Sequence, residues 1–509
     1  MQMVMIKHGA GAEMAKARPE KRSIPSFFQE EKLFTFLRTL YILMTPSHTP
    51  NGNRENLFIS DYQKRNLLLR YIGGAPTPNT LNKEVSMDKN DDSRLEEFRQ
   101  LKREIRGSAQ HLVVGIDVAK ERHYAFFGTP AGKTLLHRLV FDNSKEGFEK
   151  LCFQTDILKT QHCLTKVVFG MEPTGDYHKP LGEYLIQKDH LVVLVGGSAV
   201  KNNRELLDGR WDRNDTKDAA NVADLLTQGK CLFYEFASPP LQELRSLLSL
   251  QRRLKKQEQG YRVRTRNHLI AQYFPELDPY FGYSEGPAIV KWCLDPREIT
   301  ELPFEEFVRM VSSRNGGEKQ RRRLQEIRQK AASSIGCEAH PSVAFEGRVL
   351  VEEVRHLQDL LRETQASIRV VCHHFPEYFF LLTIPGFGPD ISAKVLEAIG
   401  NPHRFENHRQ VLKLAGLDLS AERTGKKQDV TPVISKKGKA DLRYGLYQAA
   451  FVASTRNRQF MTYFTNKLKG REREKGIGTK MRVKFAAKML VIAWTLMKKK
   501  EKFDPGCIA

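Results

Sequence analysis

The sequence predicts an α/β protein in which a mixed sheet with flanking helices is followed by a mainly helical region. Two observations lead to this prediction. Between His111 and Val195, short apolar runs alternate with stretches of helical spacing. Farther along, between about 239 and 275 and again between Leu350 and Ile368, leucines and other apolar residues recur every three or four positions.

Turn residues separate three apolar runs at the start of the α/β part, which predicts a meander of three strands. Asn143 with Glu146 then gives a capping signal for a helix, and a strand, a helix and a strand follow. The predicted strands are His111–Val118, His123–Gly128, Thr134–Phe141, Lys166–Met171 and His190–Val195, with helices ending near Leu158 and beginning near Lys179. This succession resembles that of a ribonuclease-H-like α/β domain.

A chain of 509 residues is too long for one core. We expect an N-terminal extension over 1–110 that is mostly disordered, an α/β domain over 111–235, a helical region over 236–375 and a C-terminal domain over 376–509 with a basic tail. The extension lacks periodicity and carries loop-like runs rich in Pro, Gly and Asn. We interpret Met87 as a candidate translational start, which would leave 1–86 outside the native protein.

The two leucine-rich stretches predict long amphipathic helices and a coiled-coil insertion. In the first, leucines stand at 241, 244, 247, 248, 250 and 254; in the second, apolar residues stand at 350, 354, 357, 361 and 368. Packing of these helices within one subunit and dimerisation through them explain the spacing equally well. The segment of about 280–345 between them lacks a clear pattern.

The composition favours a nucleic-acid partner. Lys and Arg number 82 against 60 Asp and Glu, a formal charge of +22, which attracts polyanions. The seven cysteines are scattered without metal-ligand spacing, which argues against zinc and a disulfide framework. The apolar run Leu33–Met44 is far shorter than the ~20 residues of a membrane span, so we expect a cytoplasmic protein. With DNA as its partner, we expect it to be associated with the nucleoid.

Carboxylates occur where the predicted strands end. Asp117 lies within VVGIDVAK, Glu172 follows the strand VVFGM, and Asp215 and Asp218 lie three apart at a helix start, on one face. If the two strands are neighbours, these charges repel by roughly 4 kcal/mol per pair at 4 Å with an effective dielectric near 20. Mg²⁺ held by carboxylates relieves that repulsion, so we predict a magnesium site with catalytic Asp117, Glu172, Asp215 and Asp218.

Three of the four carboxylates also have a structural explanation. Asp215 and Asp218 are residue types that stabilise helix N-termini, and Glu172 precedes a proline as a turn residue does. Asp176 and Asp212 are nearby acids with weaker claims to the site.

The C-terminal third carries three basic or glycine-rich features. Ile384-Pro-Gly-Phe-Gly388 before a helix is typical of a helix-hairpin-helix phosphate contact or of an ordinary interhelical turn. Thr424 beside Gly425, followed by lysines, is a candidate nucleophile or phosphate contact, although loop threonines are usually structural. Lys467–Lys502 is strongly basic, which suits backbone contacts to nucleic acid or a solvated helical face.

Five ordered motifs over about 111–460 resemble the DEDD-type transposases of the insertion sequence 110 family, the bridge-RNA-guided recombinases. The motifs are VGIDVAK, MEPTGDY, RNDTKDA, IPGFG and AGL…TG…ISKKGKADLR. The resemblance implies a RuvC-like domain whose four acids bind Mg²⁺, a coiled-coil insertion and a C-terminal transposase domain. It also implies dimers or tetramers that act on donor and target DNA with a structured non-coding guide RNA.

The resemblance further implies a serine nucleophile that links to the DNA 5′ phosphate, and in this chain that position falls on Thr424. Threonine supplies the same hydroxyl, but its β-methyl group crowds the attack. Either Thr424 acts as a slower nucleophile, or Ser420 replaces it, or this copy is impaired. We assign the role to Thr424 because it stands beside Gly425.

The functional hypothesis is an RNA-guided DNA recombinase that moves an insertion sequence. Two alternatives stay open at this point: a metal-dependent junction-resolving endonuclease without a covalent step, and an inactive nucleic-acid-binding derivative.

Overall fold

The structure, a computed structural model, describes residues 92–208, 215–312, 317–420 and 432–508. These residues belong to the compact unit Pro78–Ala509. The predictions for 1–91, Asp212 and Thr424 fall outside the described residues.

The secondary structure follows the predicted succession of strands and helices in the α/β part. The strands are β1 His111–Asp117, β2 Arg122–Gly128, β3 Thr134–Asp142, β4 Lys166–Met171, β5 Leu191–Leu194, β6 Leu232–Phe233, β7 Leu419–Ser420 and β8 Val433–Ile434.

Helices make up most of the remainder. They are α1 92–104, α2 Lys145–Gln161, α3 His178–Gln187, α4 Gly197–Asp208, α5 Asp215–Thr227, α6 Pro239–Arg264, α7 Glu285–Trp292, α8 Pro296–Glu301, α9 Phe304–Val311, α10 Glu318–Ala331, α11 Pro341–Cys372, α12 Pro376–Leu382, α13 Pro389–Ile399, α14 His408–Ala415, α15 Ala440–Arg456, α16 Arg458–Leu468 and α17 Ile477–Lys499.

A mixed sheet of six strands forms the centre of the α/β domain, in the order β3-β2-β1-β4-β5-β6. The pairs β1/β2, β2/β3 and β5/β6 are antiparallel, and the pairs β1/β4 and β4/β5 are parallel. The predicted α/β class with a mixed sheet is therefore confirmed, and the topology is compatible with a ribonuclease-H-like domain.

Helices cover both faces of this sheet, which explains why β1 and β4 read as continuous apolar runs. On one face, Leu112 and Phe169 pack with Leu151 of α2 and Leu181 of α3. On the other face, Val113 packs with residues of α1, α4 and α5.

Helix α1 lies within the segment that the sequence led us to assign to a mostly disordered extension. Its side chains Leu95, Phe98 and Leu101 are buried against the second face of the sheet. Arg94 also donates from Nη2 to the carbonyl oxygen of Tyr234, at 2.8 Å. The α/β fold therefore begins before the predicted boundary at 111.

Helices α6 and α11 pack side by side in opposite directions. Arg264 at the end of α6 pairs with Glu346 near the start of α11, at 2.7 Å. Leu244 near the start of α6 shares a core with Ile368 near the end of α11. The two predicted amphipathic helices therefore bury their apolar faces against each other within one chain.

The segment between these helices, which showed no clear pattern in sequence, forms the four short helices α7–α10. Ile289, Phe307 and Leu324 are fully buried in a separate small core that also includes Val351 of α11. The described helices of the C-terminal part, α12–α17, enclose a further core together with the start of α6 and the end of α11. None of the described helices is both long and apolar enough to cross a membrane.

Candidate functional site

Asp117 and Glu172 lie side by side at the ends of two neighbouring parallel strands. Asp117 is the last residue of β1, and Glu172 directly follows β4, whose final residue Met171 is in register with Ile116. Because adjacent strands are about 5 Å apart, the sheet brings these two residues together, as predicted. Both residues are half-buried.

Helix α5 crosses the sheet directly beside this pair, over two glycines that lie in register, Gly115 and Gly170. A Cβ atom on Gly115 would lie 2.2 Å from the carbonyl oxygen of Ala219, and one on Gly170 would lie 2.4 Å from Cδ1 of Leu226. Side chains alternate along a strand, so Asp117 and Glu172 are on the same faces of their strands as these glycines. The first turns of α5 therefore lie at the carboxylate end of the sheet.

Asp218 stands next to Ala219 on that helix and forms an ion pair with Arg204 of α4. Arg204 donates from Nε to Oδ1 of Asp218 at 2.7 Å, and the two side chains are 14% and 16% exposed. Arg204 therefore neutralises one of the four predicted carboxylates in this structure. The side chain of Asp215 is outside the described residues, although its backbone begins α5.

Buried amides hold α4 and α5 together beside this ion pair. Asn203 donates from Nδ2 to Oδ1 of Asn221 at 2.8 Å and to Oδ2 of Asp224 at 2.7 Å. Asn221 in turn donates from Nδ2 to the carbonyl oxygen of Val200, at 2.7 Å. Because unpaired buried amides are costly, this network fixes α5 against α4 and thereby fixes the position of Asp218.

Glu172 lies against the start of α4. A Cβ atom at Gly197, the first residue of that helix, would lie 2.6 Å from Oε1 of Glu172. The absence of a side chain at Gly197 leaves room for the carboxylate, and the N-terminal end of a helix favours negative charge. The carboxylate of Glu172 therefore occupies the room that the missing side chain leaves at the start of α4.

The chemistry of the donor set fits a hard divalent cation, because every candidate ligand is a carboxylate. Asp117, Glu172 and Asp218 would hold Mg²⁺, with Asp215 from the same helix as Asp218. Among the described residues, however, no three His, Cys, Asp or Glu side chains group closely enough to hold a metal ion. Asp176 is 84% exposed and forms an ion pair with Lys179, which lowers the pKa of Asp176. The structure therefore shows Asp176 in a surface ion pair.

His123 of β2 supports the turn after Asp117 and was missed by sequence reasoning. The amide of Ala119 donates to Nδ1 of His123 at 3.2 Å, and the ring packs against Phe141 and Phe148. Burial lowers the pKa of His123, which keeps Nδ1 available as an acceptor. In sequence, His123 is merely one residue of a strand, and Arg204 is one cation among many, so neither gave a signal.

The hairpin β7/β8 leads into and out of the segment that contains Thr424. Ser420 ends β7, is exposed and pairs in register with Val433 of β8. The base of the hairpin is tight, because a Cβ atom at Gly438 would lie 2.3 Å from the amide nitrogen of Gly416. The structure therefore places Ser420 on a closed hairpin base, with Thr424 in the undescribed 421–431 beyond it.

The glycine-rich turn before α13 packs closely on α15. Gly386 has a φ of 90°, and a Cβ atom there would lie 2.5 Å from the carbonyl oxygen of Ala449. Asp390 in the first turn of α13 accepts from Nε2 of Gln365 at 2.8 Å. Close packing on α15 therefore explains why a glycine stands at this position of the interhelical turn. The predicted phosphate contact stays a prediction.

Comparison with known proteins gives two family matches along the chain. Residues 114–275 match a model of DEDD transposases of the IS110 type, described as "Transposase". Residues 379–465 match a second model, described as "Transposase IS116/IS110/IS902 family". The first match contains all four predicted carboxylates, and the second contains the hairpin β7/β8.

A relative from Streptomyces clavuligerus, the "Insertion element IS116 uncharacterized 44.8 kDa protein", is 22% identical over 417 residues. The alignment covers 77% of this chain and 96% of the relative. The chain belongs to the IS110 family of insertion-sequence transposases.

Proposed function

We propose that this transposase cuts and rejoins DNA strands in a composite site made by the α/β domain and the hairpin β7/β8. In this proposal Asp117, Glu172, Asp215 and Asp218 form the acidic part of a RuvC-like site, and Thr424 supplies a hydroxyl nucleophile. The observation that carries it is the adjacency of Asp117 and Glu172 at the ends of β1 and β4, with α5 packed beside them on Gly115.

The carboxylates provide a site for Mg²⁺, which would polarise the scissile phosphate and neutralise its charge. Gly197 leaves the room that Glu172 needs, and His123 holds the turn that follows Asp117. Arg204 compensates the charge of Asp218 until the carboxylate binds a cation. Gly197 and His123 thereby position the oxygen ligands before DNA arrives.

The chemical step begins when the hydroxyl oxygen of Thr424 attacks the scissile phosphorus. The bond from phosphorus to the leaving 3′ oxygen breaks, and that oxygen takes up a proton as the threonine hydroxyl loses one. The DNA 5′ phosphate is then attached to the protein. Attack by a 3′ hydroxyl of another strand reverses these bond changes and rejoins the DNA.

Thr424→Ala is expected to abolish a covalent link between protein and DNA, and Thr424→Ser is expected to form it roughly tenfold faster, since serine lacks the β-methyl group. The covalent product is measured by denaturing electrophoresis, after the protein has been incubated in Mg²⁺ with a nicked DNA substrate that retains its 5′ phosphate. Ser420→Ala, four residues away in sequence, is the matched control and should behave as the wild type.

The other outcomes each assign a different function. A link lost in Ser420→Ala and kept in Thr424→Ala would move the nucleophile to Ser420. Free 5′ phosphates without attached protein would indicate a junction-resolving endonuclease. Wild-type protein that binds DNA but never breaks strands in Mg²⁺ would indicate an inactive nucleic-acid-binding derivative.

We further propose that a structured non-coding RNA directs the transposase to donor and target DNA by base pairing. The net charge of +22 and the basic stretch Lys467–Lys502 support a large polyanion as partner. Sequencing the RNA that purifies with the natively expressed protein is expected to give one abundant species encoded beside its gene. A random sample of cellular RNA would contradict guidance.

The pair α6/α11 is proposed to act as a coiled-coil insertion through which dimers or tetramers form. Phe345 and Val349, one helical turn apart on α11, are 61% and 41% exposed. These exposed apolar side chains support a partner helix from another subunit. We propose that the assembled protein is cytoplasmic and associated with the nucleoid, which contains its donor and target DNA.

A further inference from the structure

An exposed aromatic stripe follows one face of α15. Five exposed residues stand at helical spacing along this face: Tyr444, Gln448, Phe451, Val452 and Thr455. Tyr444 is 61% exposed and Phe451 is 46% exposed. The opposite face of α15, with Leu446 and Ala450, is fully buried in the C-terminal core, so the helix is held firmly and the stripe faces outward.

Arginines accompany this stripe along the sequence. No Asp or Glu occurs between Asp441 and Glu472, whereas Arg443, Arg456 and Arg458 lie within that interval. The guanidinium carbon of Arg482 lies 4.8 Å from the ring centroid of Phe451. Its Nε atom is buried and has no hydrogen-bond partner among the described residues.

The stripe begins beside the hairpin β7/β8. Arg443, the residue before Tyr444, donates from Nη1 to the carbonyl oxygens of Ala415 at 2.9 Å and Lys436 at 3.5 Å. These two residues lie just before β7 and just after β8. Tyr444 therefore marks the end of the stripe that is nearest to the hairpin.

We propose that this stripe binds single-stranded DNA, with unpaired bases stacked on Tyr444 and Phe451 and backbone phosphates contacted by Arg482. Exposed rings interleaved with cations are the features that proteins use to bind single strands without sequence preference. A second copy of this chain, also carrying +22, would be repelled by the same cations. Strands opened at the neighbouring hairpin are the DNA that reaches this face, and in that respect the inference rests on the proposed function.

The test is binding of a fluorescein-labelled 20-nucleotide oligothymidine, measured by anisotropy with the full-length protein in EDTA. Tyr444→Ala and Phe451→Ala are each expected to weaken binding about tenfold. Tyr444→Phe and Phe451→Tyr keep the rings and should stay within about twofold of the wild type. Phe153→Ala on α2 removes another exposed phenylalanine, 69% exposed, and should change nothing.

Two further measurements make the outcome decisive. A 2-aminopurine base in the oligonucleotide should lose fluorescence on binding to the wild type, and Tyr444→Ala should weaken that loss. Affinity for a 20-base-pair duplex should stay within about twofold in every variant, which also shows that the variants are folded.

Four results would overturn the inference. Both alanine variants could bind the single strand as tightly as the wild type, or could lose affinity equally for duplex and single strand. The loss of affinity could be confined to an RNA oligonucleotide, or the variants could form a smaller oligomer by light scattering with unchanged DNA binding. The last would assign the stripe to contact between copies. Because EDTA excludes metal-dependent cleavage, a protein that never cuts DNA would refute the proposed function and leave this inference standing.

Discussion

Asp218→Asn and Glu172→Gln are each expected to lower Mg²⁺-dependent strand breakage by about a thousandfold or more, while DNA binding in EDTA persists. Each substitution keeps the shape of the side chain and removes one negative charge. A unit charge at 4 Å from another contributes on the order of 4 kcal/mol with an effective dielectric near 20. Losing that attraction for a divalent cation is enough to empty the site at millimolar Mg²⁺.

Cation binding is the measurement that separates this explanation from a general loss of folding. Titration calorimetry with Mn²⁺ should give an affinity about tenfold or more below the wild type for both variants. Arg204→Gln is the matched control, because it removes the guanidinium bound to Asp218 and leaves all four carboxylates. It should raise the affinity for Mn²⁺, since the side chain that competes with the cation is gone.

The affinity for Mn²⁺ is expected to fall in Asp218→Asn and to rise in Arg204→Gln, so either measurement can contradict the prediction. Wild-type Mn²⁺ affinity in Asp218→Asn would remove Asp218 from the site, even if strand breakage were lost. Weaker Mn²⁺ binding in Arg204→Gln would show that Arg204 organises Asp218 for the cation and does not compete with it.

The sheet and its two strand-end carboxylates were readable from sequence because both depend on local pattern. Buried parallel strands are continuous apolar runs, so the charges that follow them at Asp117 and Glu172 stand out. Adjacency of β1 and β4 then follows from the chain order of the fold. The ion pair between Arg204 and Asp218 has no such signal, because it depends on how α4 and α5 pack.

Helix periodicity identifies an apolar face and says nothing about what covers it. The leucines of α6 predicted a helix correctly, but a coiled coil between subunits and packing on α11 give the same spacing. Helix α1 was missed although Leu95, Phe98 and Leu101 recur at helical spacing, because a polar, loop-like stretch precedes them. Helices α7 and α9 have 8 residues each, too few to establish a period.

Gly115→Ala is expected to release α5 from the sheet and to disorganise the site as a consequence. The added Cβ atom would lie 2.2 Å from the carbonyl oxygen of Ala219 and 2.5 Å from the amide nitrogen of Ala223. Both are backbone atoms, so no side-chain rotation relieves the clash. We expect a local destabilisation of about 3 kcal/mol, at the upper end of the range for overpacking.

Hydrogen exchange measured by mass spectrometry is the suitable readout, since a chain with several cores does not unfold in two states. Peptides from β1 and α5 should exchange roughly a hundredfold faster in Gly115→Ala, as 3 kcal/mol implies, while α11 should be unaffected. Affinity for Mn²⁺ should fall as well, because Asp218 is adjacent to the displaced Ala219.

Two alanine substitutions at other glycines serve as controls with graded expectations. Gly170→Ala would meet Cδ1 of Leu226 at 2.4 Å, the mobile end of a side chain, so its effect should be smaller than that of Gly115→Ala. Gly260→Ala, exposed in α6 with no atom within 4 Å of the new Cβ, should stabilise that helix by about 0.5–1 kcal/mol. Unchanged exchange of α5 in Gly115→Ala would mean that the helix does not rest on β1, and the position of Asp218 at the carboxylate end of the sheet would lose its structural basis.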